Sequence, residues 1–228
     1  MNIKKHIPNT ITCCNLFSGC IATYWALQGA WDVALLFIVI GAVFDFFDGL
    51  SARLLGVSSA IGKELDSLAD DITFGFAPSA IIFDFLKSGA EHLPWHYLPF
   101  AAFVMAAFSA LRLAKFNLDE RQAMGFIGLP TPANALFWGA LIVGAGDVLA
   151  SSPYCYYAVL IGMFISCYLL VAEIPMFALK FKHWGWKGNE IKYIFLLVSI
   201  PLLAFLGISG LAAIIAWYIL LSIITKQN

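Results

Sequence analysis

The sequence predicts an all-α protein: a polytopic transmembrane helical bundle of about eight spans, a six-span core plus a C-terminal pair. Three observations predict it. Of the 228 residues 61% are hydrophobic and only 12% charged, about half the charged share of a soluble domain. The charges are clustered, which leaves apolar stretches of the roughly 20 residues that a helix needs to cross a bilayer. Gly, Pro and charged clusters then punctuate the chain between those stretches.

Taken in order, the stretches are 11–30, 32–53, 64–86, 95–115, 132–150, 154–178, 191–206 and 208–225. The first follows Lys4 and Lys5, so it competes with a secretory leader, and Phe17-Ser18-Gly19-Cys20 resembles a lipoprotein cleavage box. The rest of the chain is as hydrophobic, so this segment reads as an uncleaved first span. Connections fall at Gln28 to Asp32, Lys87 to Trp95, Asn117 to Pro130 and Lys180 to Glu190. The seventh stretch is short, and only the turn around Gly207 and Gly210 parts it from the eighth. Residues 1–228 read as a single integral membrane domain without a soluble module or internal repeat.

Orientation follows from the cations. With a cytoplasmic N-terminus, the cytoplasmic ends carry Lys4, Lys5, Arg53, Lys63, Arg112, Lys115, Arg121, Lys180, Lys182, Lys187, Lys192 and Lys226, and only Lys87 faces outward. That bias predicts an even number of spans and both termini in the cytoplasm. A net charge of −1 gives no footprint for nucleic acid. Cys13, Cys14, Cys20, Cys155 and Cys167 form no C-x-x-C pair and read as small apolar side chains, not a disulfide framework or zinc site.

The aspartates collect where the second and third spans meet. Asp45 and Asp48 are three apart, about 60° from each other on a helix, and Asp66 and Asp70 are four apart, about 40°. Gly62 lies one turn before Asp66 on the same stripe, and the connection is short enough for the two stripes to face each other. Carboxylates at a membrane boundary repel one another and resist desolvation. One or two hard divalent cations would neutralise them, and two could hold both oxygens of a phosphoryl displacement. Gly49, Ala52 and Gly62 leave room for a ligand beside them, and Arg53 is placed to meet phosphate. Interface capping accounts for one or two acids, not for four on facing stripes. Asp71 departs from its stripe by about 100° and reads as a cap or supporting group.

Asp45-x-x-Asp48-Gly49-x-x-Ala52-Arg53, eight residues, then Gly62-x-x-x-Asp66-x-x-x-Asp70 resembles the complete signature of the CDP-alcohol phosphatidyltransferase family. The resemblance implies divalent metal, Mg2+ or Mn2+ and two ions, held by Asp45, Asp48 and Asp66. Asp70 would be the general base, with some metal contact of its own. The acceptor oxygen would attack the lipid-side phosphorus of CDP-diacylglycerol and CMP would leave. Donor contacts would come from Gly49, Arg53, Ser59 and Gly62, joined by Asn9, Thr10 and Asn15. For Asn9 and Thr10 an ordinary helix cap is the competing reading. The family also implies a homodimer, a multi-pass location in the cell (inner) membrane, and an active site on the cytoplasmic side.

Leu111-Arg112-Leu113-Ala114-Lys115-Phe116-Asn117 and Phe126-Ile127-Gly128-Leu129-Pro130-Thr131-Pro132-Ala133 are similar to segments of the bacterial, membrane-spanning phosphatidylserine synthase branch. That likeness implies L-serine as acceptor. Lys115 stands where that branch commonly has Arg, and Asn134 where it has a small residue. Arg112 could grip the serine carboxylate bidentately, and Lys115 a phosphate or the same carboxylate. The alternative is that both are anchors snorkelling to the interface. Sibling enzymes using glycerol 3-phosphate or inositol remain an alternative, as more remotely does a cation transporter, which would place its acids at the midplane and show paired repeats. Glu173 reads as an interface carboxylate, Trp184 and Trp186 as an interfacial anchor, and His92 and His96 as remote from the aspartates.

Overall fold

The computed structural model describes residues 6–119, 126–177, 179 and 183–225. Of the cations used for orientation, Lys4, Lys5, Arg121, Lys180, Lys182 and Lys226 lie outside the described residues. The architecture is an all-α bundle, and among the described residues four helical stretches are long and apolar enough to cross a membrane by themselves: Trp31–Leu55, Leu98–Leu118, Thr131–Ala150 and Pro153–Val171. The outer surface is studded with large apolar side chains, among them Phe17, Leu36, Phe46, Phe164 and Phe205, as a lipid-facing surface requires. The chain is a membrane protein.

Helix α1 (His6–Leu27) starts five residues before the expected 11, so Asn9 and Thr10 lie inside it and neither is its cap. It packs antiparallel to α2 (Trp31–Leu55), which ends on Gly56 in the left-handed conformation, φ 60°. The third expected span is one helical run. It passes from α3 (Ala60–Asp70) through a π-helical segment (Asp71–Phe76) into α4 (Ala77–Ser88). Ser59 caps α3, its Oγ accepting from the Gly62 amide at 3.0 Å. The π segment has a local cause. Pro78 has no N–H, so the Phe74 carbonyl lacks an α-type partner, and the Ala77 amide instead donates five residues back to Ile72. Helix α4 is the centre of the molecule, with Ala77 to Ile82, Phe85 and Leu86 all buried.

A 3₁₀ turn (Leu98–Phe103) leads into α5 (Val104–Leu118), followed by α6 (Thr131–Ala150) and α7 (Pro153–Val171). Helix α7 stops short of the expected 178. Ala172 is extended (φ −67°, ψ 145°), and the strand that follows, β2 (Pro175–Met176), pairs antiparallel with β1 (Phe126–Ile127). Two residues are too few to show a strand period. Gly128, at φ 77°, donates its amide to Ile174 at 2.9 Å, and the Leu129 amide caps the carbonyl of Leu169 at 2.9 Å. This clasp fixes the loop that leads into α6. The C-terminal pair is α8 (Glu190–Leu206) and α9 (Ser209–Thr225), turning at Gly207, φ 56°. Helix α9 packs on α6, whereas only Phe195 of α8 is buried.

A buried polar relay ties α5, α6 and α7 together. Trp138 Nε1 donates to Ser166 Oγ at 3.0 Å, Ser166 donates to Asn134 Oδ1, and Asn134 Nδ2 reaches Met105 Sδ at 3.2 Å. A buried amide is costly unless bonded, and here Asn134 is absorbed into packing between helices. All five cysteines are free, and Cys167 is buried.

Candidate metal and substrate site

Helices α1, α2 and the π segment meet at unusually short range because glycines face each other there. A Cβ on Gly41 of α2 would lie 2.5 Å from Thr73 Cγ2 and 2.9 Å from Asn15 Oδ1, and one on Gly19 of α1 would lie 2.8 Å from Thr73 Cα. Thr73 is wedged between the two glycines, donating its hydroxyl to the Asn15 carbonyl at 3.1 Å. Small residues at helix crossings are how membrane helices gain close packing. The wedge sets the depth of Asp70, three residues earlier.

Asp45 and Asp48 come from α2, Asp66 and Asp70 from α3. One carboxylate oxygen from each of Asp45, Asp48 and Asp66 lies within 4.8 Å of the other two. Hard cations take oxygen ligands at roughly 2.0–2.6 Å, so such a gap is one they can bridge. Among the described residues no Lys or Arg is in salt-bridge range of these carboxylates, so the trio has no protein countercharge. Both the donor set and the missing countercharge fit a divalent cation. Asp70 lies next to the trio. It is buried and accepts from Asn15 Nδ2 at 3.1 Å, with Asp45 within hydrogen-bonding reach.

Two of the trio, Asp48 and Asp66, line a cavity of about 270 Å³ together with Pro8, Asn9 and Thr12 of α1, Gly49 and Ala52 of α2, and Val57, Ser58, Ser59, Gly62 and Lys63; Asp45 is not part of that lining. Gly62 makes this wall possible, since its Cβ would stand 2.9 Å from Ser59 Oγ and 3.0 Å from Asn9 Oδ1. Of the expected donor contacts, Asn9, Gly49, Ser59 and Gly62 therefore line one cavity. Thr10 does not: about 100° round the helix from Asn9, it is exposed and donates to the His6 carbonyl at 2.8 Å. Asn15 lies deeper and holds Asp70. Arg53 is exposed outside the cavity lining, its Nη1 3.5 Å from where a Gly49 Cβ would be.

Thr12 was missed by the sequence reading. It is buried and donates to Asp48 Oδ2 at 2.6 Å. The signal was present: Asn9, Thr12 and Asn15, spaced three apart, make a polar stripe along one face of a largely apolar helix.

Arg112 and Lys115 part company. Arg112 is 6% exposed, too buried to snorkel. Its Nη1 donates to Thr131 Oγ1 at 3.5 Å, its guanidinium lies 5.1 Å from the Phe116 ring centroid, and its Nε has no partner. Asp70 is near enough to act on it electrostatically. Lys115 is exposed, as an interfacial anchor would be. Asp71 faces α5, its Oδ1 buried against Gly75 beside Ser109. Glu173 and Trp184 are exposed, Trp186 stacks on Tyr193, and His92 packs on Tyr156, a residue of α7 outside this site.

Comparison with known proteins gives matches over most of the chain. The model of the CDP-alcohol phosphatidyltransferase family matches residues 5–163. A CDP-diacylglycerol–serine O-phosphatidyltransferase of Bacillus subtilis (strain 168) is 35% identical over 190 residues, covering 82% of this chain and 95% of its own. The protein of that description from Helicobacter pylori (strain ATCC 700392 / 26695) is 32% identical over 240 residues, covering 97% and 95%. One from Methanocaldococcus jannaschii is 32% identical over 145 residues, covering 64% and 62%.

Proposed function

The chain belongs to the CDP-alcohol phosphatidyltransferase family, and from that premise we propose that it transfers the phosphatidyl group of CDP-diacylglycerol to the hydroxyl of L-serine, giving phosphatidylserine and CMP. The observation that carries this reading is the trio of Asp45, Asp48 and Asp66 beside one cavity, which Asp48 and Asp66 line, with Asp70 next to it on a hydrogen bond from Asn15. The serine acceptor is supported by the relatives' printed activity and by the buried, partly unsatisfied Arg112 near Asp70.

Asp45, Asp48 and Asp66 hold the divalent cations, two Mg2+ or Mn2+ ions. When bound, these neutralise the charge of the donor diphosphate. The residues do the rest. Thr12 fixes the rotamer of Asp48 through its 2.6 Å hydrogen bond. Asn15 holds one oxygen of Asp70, leaving the other to take the proton from the serine hydroxyl. The serine oxygen, relieved of its proton, bonds to the lipid-side phosphorus, the bond from this phosphorus to the bridging diphosphate oxygen breaks, and CMP leaves with the electron pair. Arg112 fits the serine carboxylate, a planar anion that its fork can meet bidentately. Asn9, Ser59, Gly49 and Gly62 form the wall against which the nucleotide lies.

The protein is a single membrane domain of the cell (inner) membrane with its site and both termini on the cytoplasmic side, and it works as a homodimer as its family implies. The orientation is supported by Arg53, Lys63, Arg112 and Lys115, which share the aspartate end of the bundle, whereas Lys87 closes α4 at the other end. The test is CMP release by purified protein given CDP-diacylglycerol, Mg2+ or Mn2+, and one alcohol at a time. Serine-dependent release is expected. Release only with glycerol 3-phosphate or inositol refutes the acceptor, and no release with any alcohol refutes the reading.

A further inference from the structure

Among the described residues the nucleotide cavity has one lysine or arginine in its lining, Lys63. It was read from the sequence only as a charge that orients the bundle, and Arg53, the cation expected at the phosphates, stands outside the lining. Lys63 occupies the first turn of α3, three residues before Asp66, yet its ammonium is turned away to the last turn of α5. There Nζ donates to the Asn117 carbonyl at 2.7 Å. The last carbonyls of a helix have no partner inside it. In α5 the carbonyl of Lys115 is taken by the Asp119 amide at 3.0 Å, and that of Asn117 is taken by Lys63. The link closes on itself: Asn117 Nδ2 donates to Ser67 Oγ at 2.8 Å, and Ser67 Oγ donates to the Lys63 carbonyl at 3.3 Å.

We propose that Lys63 is the phosphate-binding cation of the donor cavity, parked on the Asn117 carbonyl until CDP-diacylglycerol arrives. This inference rests on the donor named above. A diphosphate entering a cavity that already carries Asp48 and Asp66 brings more negative charge, which a cation on the cavity wall would offset. Lys63 is on that wall, and a four-carbon stem lets its ammonium swing from α5 into the cavity. A neutral, solvent-exposed carbonyl is the weaker partner, and a phosphate oxygen gives a charge-assisted bond roughly twice as strong. The exchange is therefore downhill once the donor is present.

The experiment compares Lys63→Gln and Lys63→Arg with wild type in detergent, by equilibrium binding of CDP-diacylglycerol and of CMP and by steady-state kinetics. K63Q is expected to weaken donor binding about tenfold or more, to raise the donor KM in parallel, and to leave the serine KM and most of kcat in place. K63R is expected to recover most of the affinity. Asn117→Ala and Ser67→Ala cut the side-chain tie between α3 and α5 while keeping the ammonium, and are expected to bind donor within about twofold of wild type. Wild-type affinity in K63Q overturns the proposal. So does an equal loss in N117A and S67A, because pinning of α5 would then be the cause. On the unmutated protein, CDP-diacylglycerol is expected to slow labelling of Lys63 by an amine-reactive reagent about tenfold, and an unprotected Lys63 also overturns it. A wild-type protein that binds donor through Lys63 but releases no CMP with serine refutes the acceptor, not the role of Lys63.

Discussion

Substituting Gly41 by Ala places a methyl 2.5 Å from Thr73 Cγ2 and 2.9 Å from Asn15 Oδ1. Carbon pairs rest about 3.5–4.0 Å apart, so α2 and the π segment must separate by about 1 Å. Overpacking of this kind costs roughly 1–3 kcal/mol. The larger effect is on the chemistry. Asn15 is 3.1 Å from Asp70, and a shift of even half that separation leaves no hydrogen bond. A displacement of about 1 Å at a reacting group lowers a rate by about a hundredfold. The assay is serine-dependent CMP release together with thermal unfolding in detergent, for G41A, Thr73→Ser and the double variant. Thr73→Ser keeps the hydroxyl that bonds Asn15 but removes the Cγ2 methyl. It is expected to recover the larger part of both losses, with a coupling of about 0.5–3 kcal/mol in the double-mutant cycle. Gly19→Ala is the control. Its Cβ meets Thr73 Cα at 2.8 Å and Thr73 N at 2.9 Å, backbone atoms that serine retains, so no rescue is expected. Wild-type behaviour of G41A, or equal rescue of both glycine variants, refutes the wedge as the device that sets Asp70.

Further outcomes follow from single contacts. Asp70→Asn is expected to lower turnover by a factor of about 10² to 10⁴, the usual worth of a general base, with donor affinity within about threefold of wild type; near-normal turnover removes Asp70 from that role. Thr12→Val keeps the shape of the side chain but deletes the 2.6 Å donation to Asp48, a bond to a charged group worth about 1.5–3 kcal/mol. A Mg2+ titration of activity should shift its midpoint by about tenfold or more, and an unmoved midpoint argues against Thr12 as the support of Asp48. Gly128→Ala, at φ 77° and with its Cβ 2.7 Å from the Leu170 carbonyl oxygen, adds left-handed strain of about 1–2 kcal/mol to a backbone clash. Its unfolding temperature in detergent should fall by several degrees, and an unchanged one means that the β1–β2 clasp does not support the fold.

Much of the fold was legible because hydropathy and charge act over whole spans. The eight apolar stretches each hold helix among the described residues, four of them long and apolar enough to cross a membrane, and the four aspartates stood on the two stripes that their spacing predicted. What escaped was set by single residues. Helix α1 began early because Pro8 is tolerated in a first turn, which turned Asn9 from a possible cap into cavity wall and left Thr10 outside. The π segment depends on one missing amide at Pro78, and the clasp on two paired residues, so neither repeats often enough to leave a pattern. For both Arg112 and Lys115 the sequence left an interfacial anchor open as the alternative to an acceptor contact. Only the packing of α5 against α6 through Thr131 separates a buried guanidinium from an exposed ammonium. Thr12 could have been read, since its stripe with Asn9 and Asn15 was visible.

The widened turn between Asp70 and Ala77 has a consequence for heredity as well as for chemistry. One continuous helical run carries two of the four aspartates at one end and the buried centre of the bundle, Ala77 to Leu86, at the other. Inserting a single codon between residues 71 and 76 would add another residue to a turn that already holds one extra, and rotate one end about 100° against the other. No loop lies between them to absorb the change. The same insertion in the stretch between α5 and α6 would be spread over a connection of many residues. The length of these few codons therefore bears on the site as directly as the identity of the residues they encode.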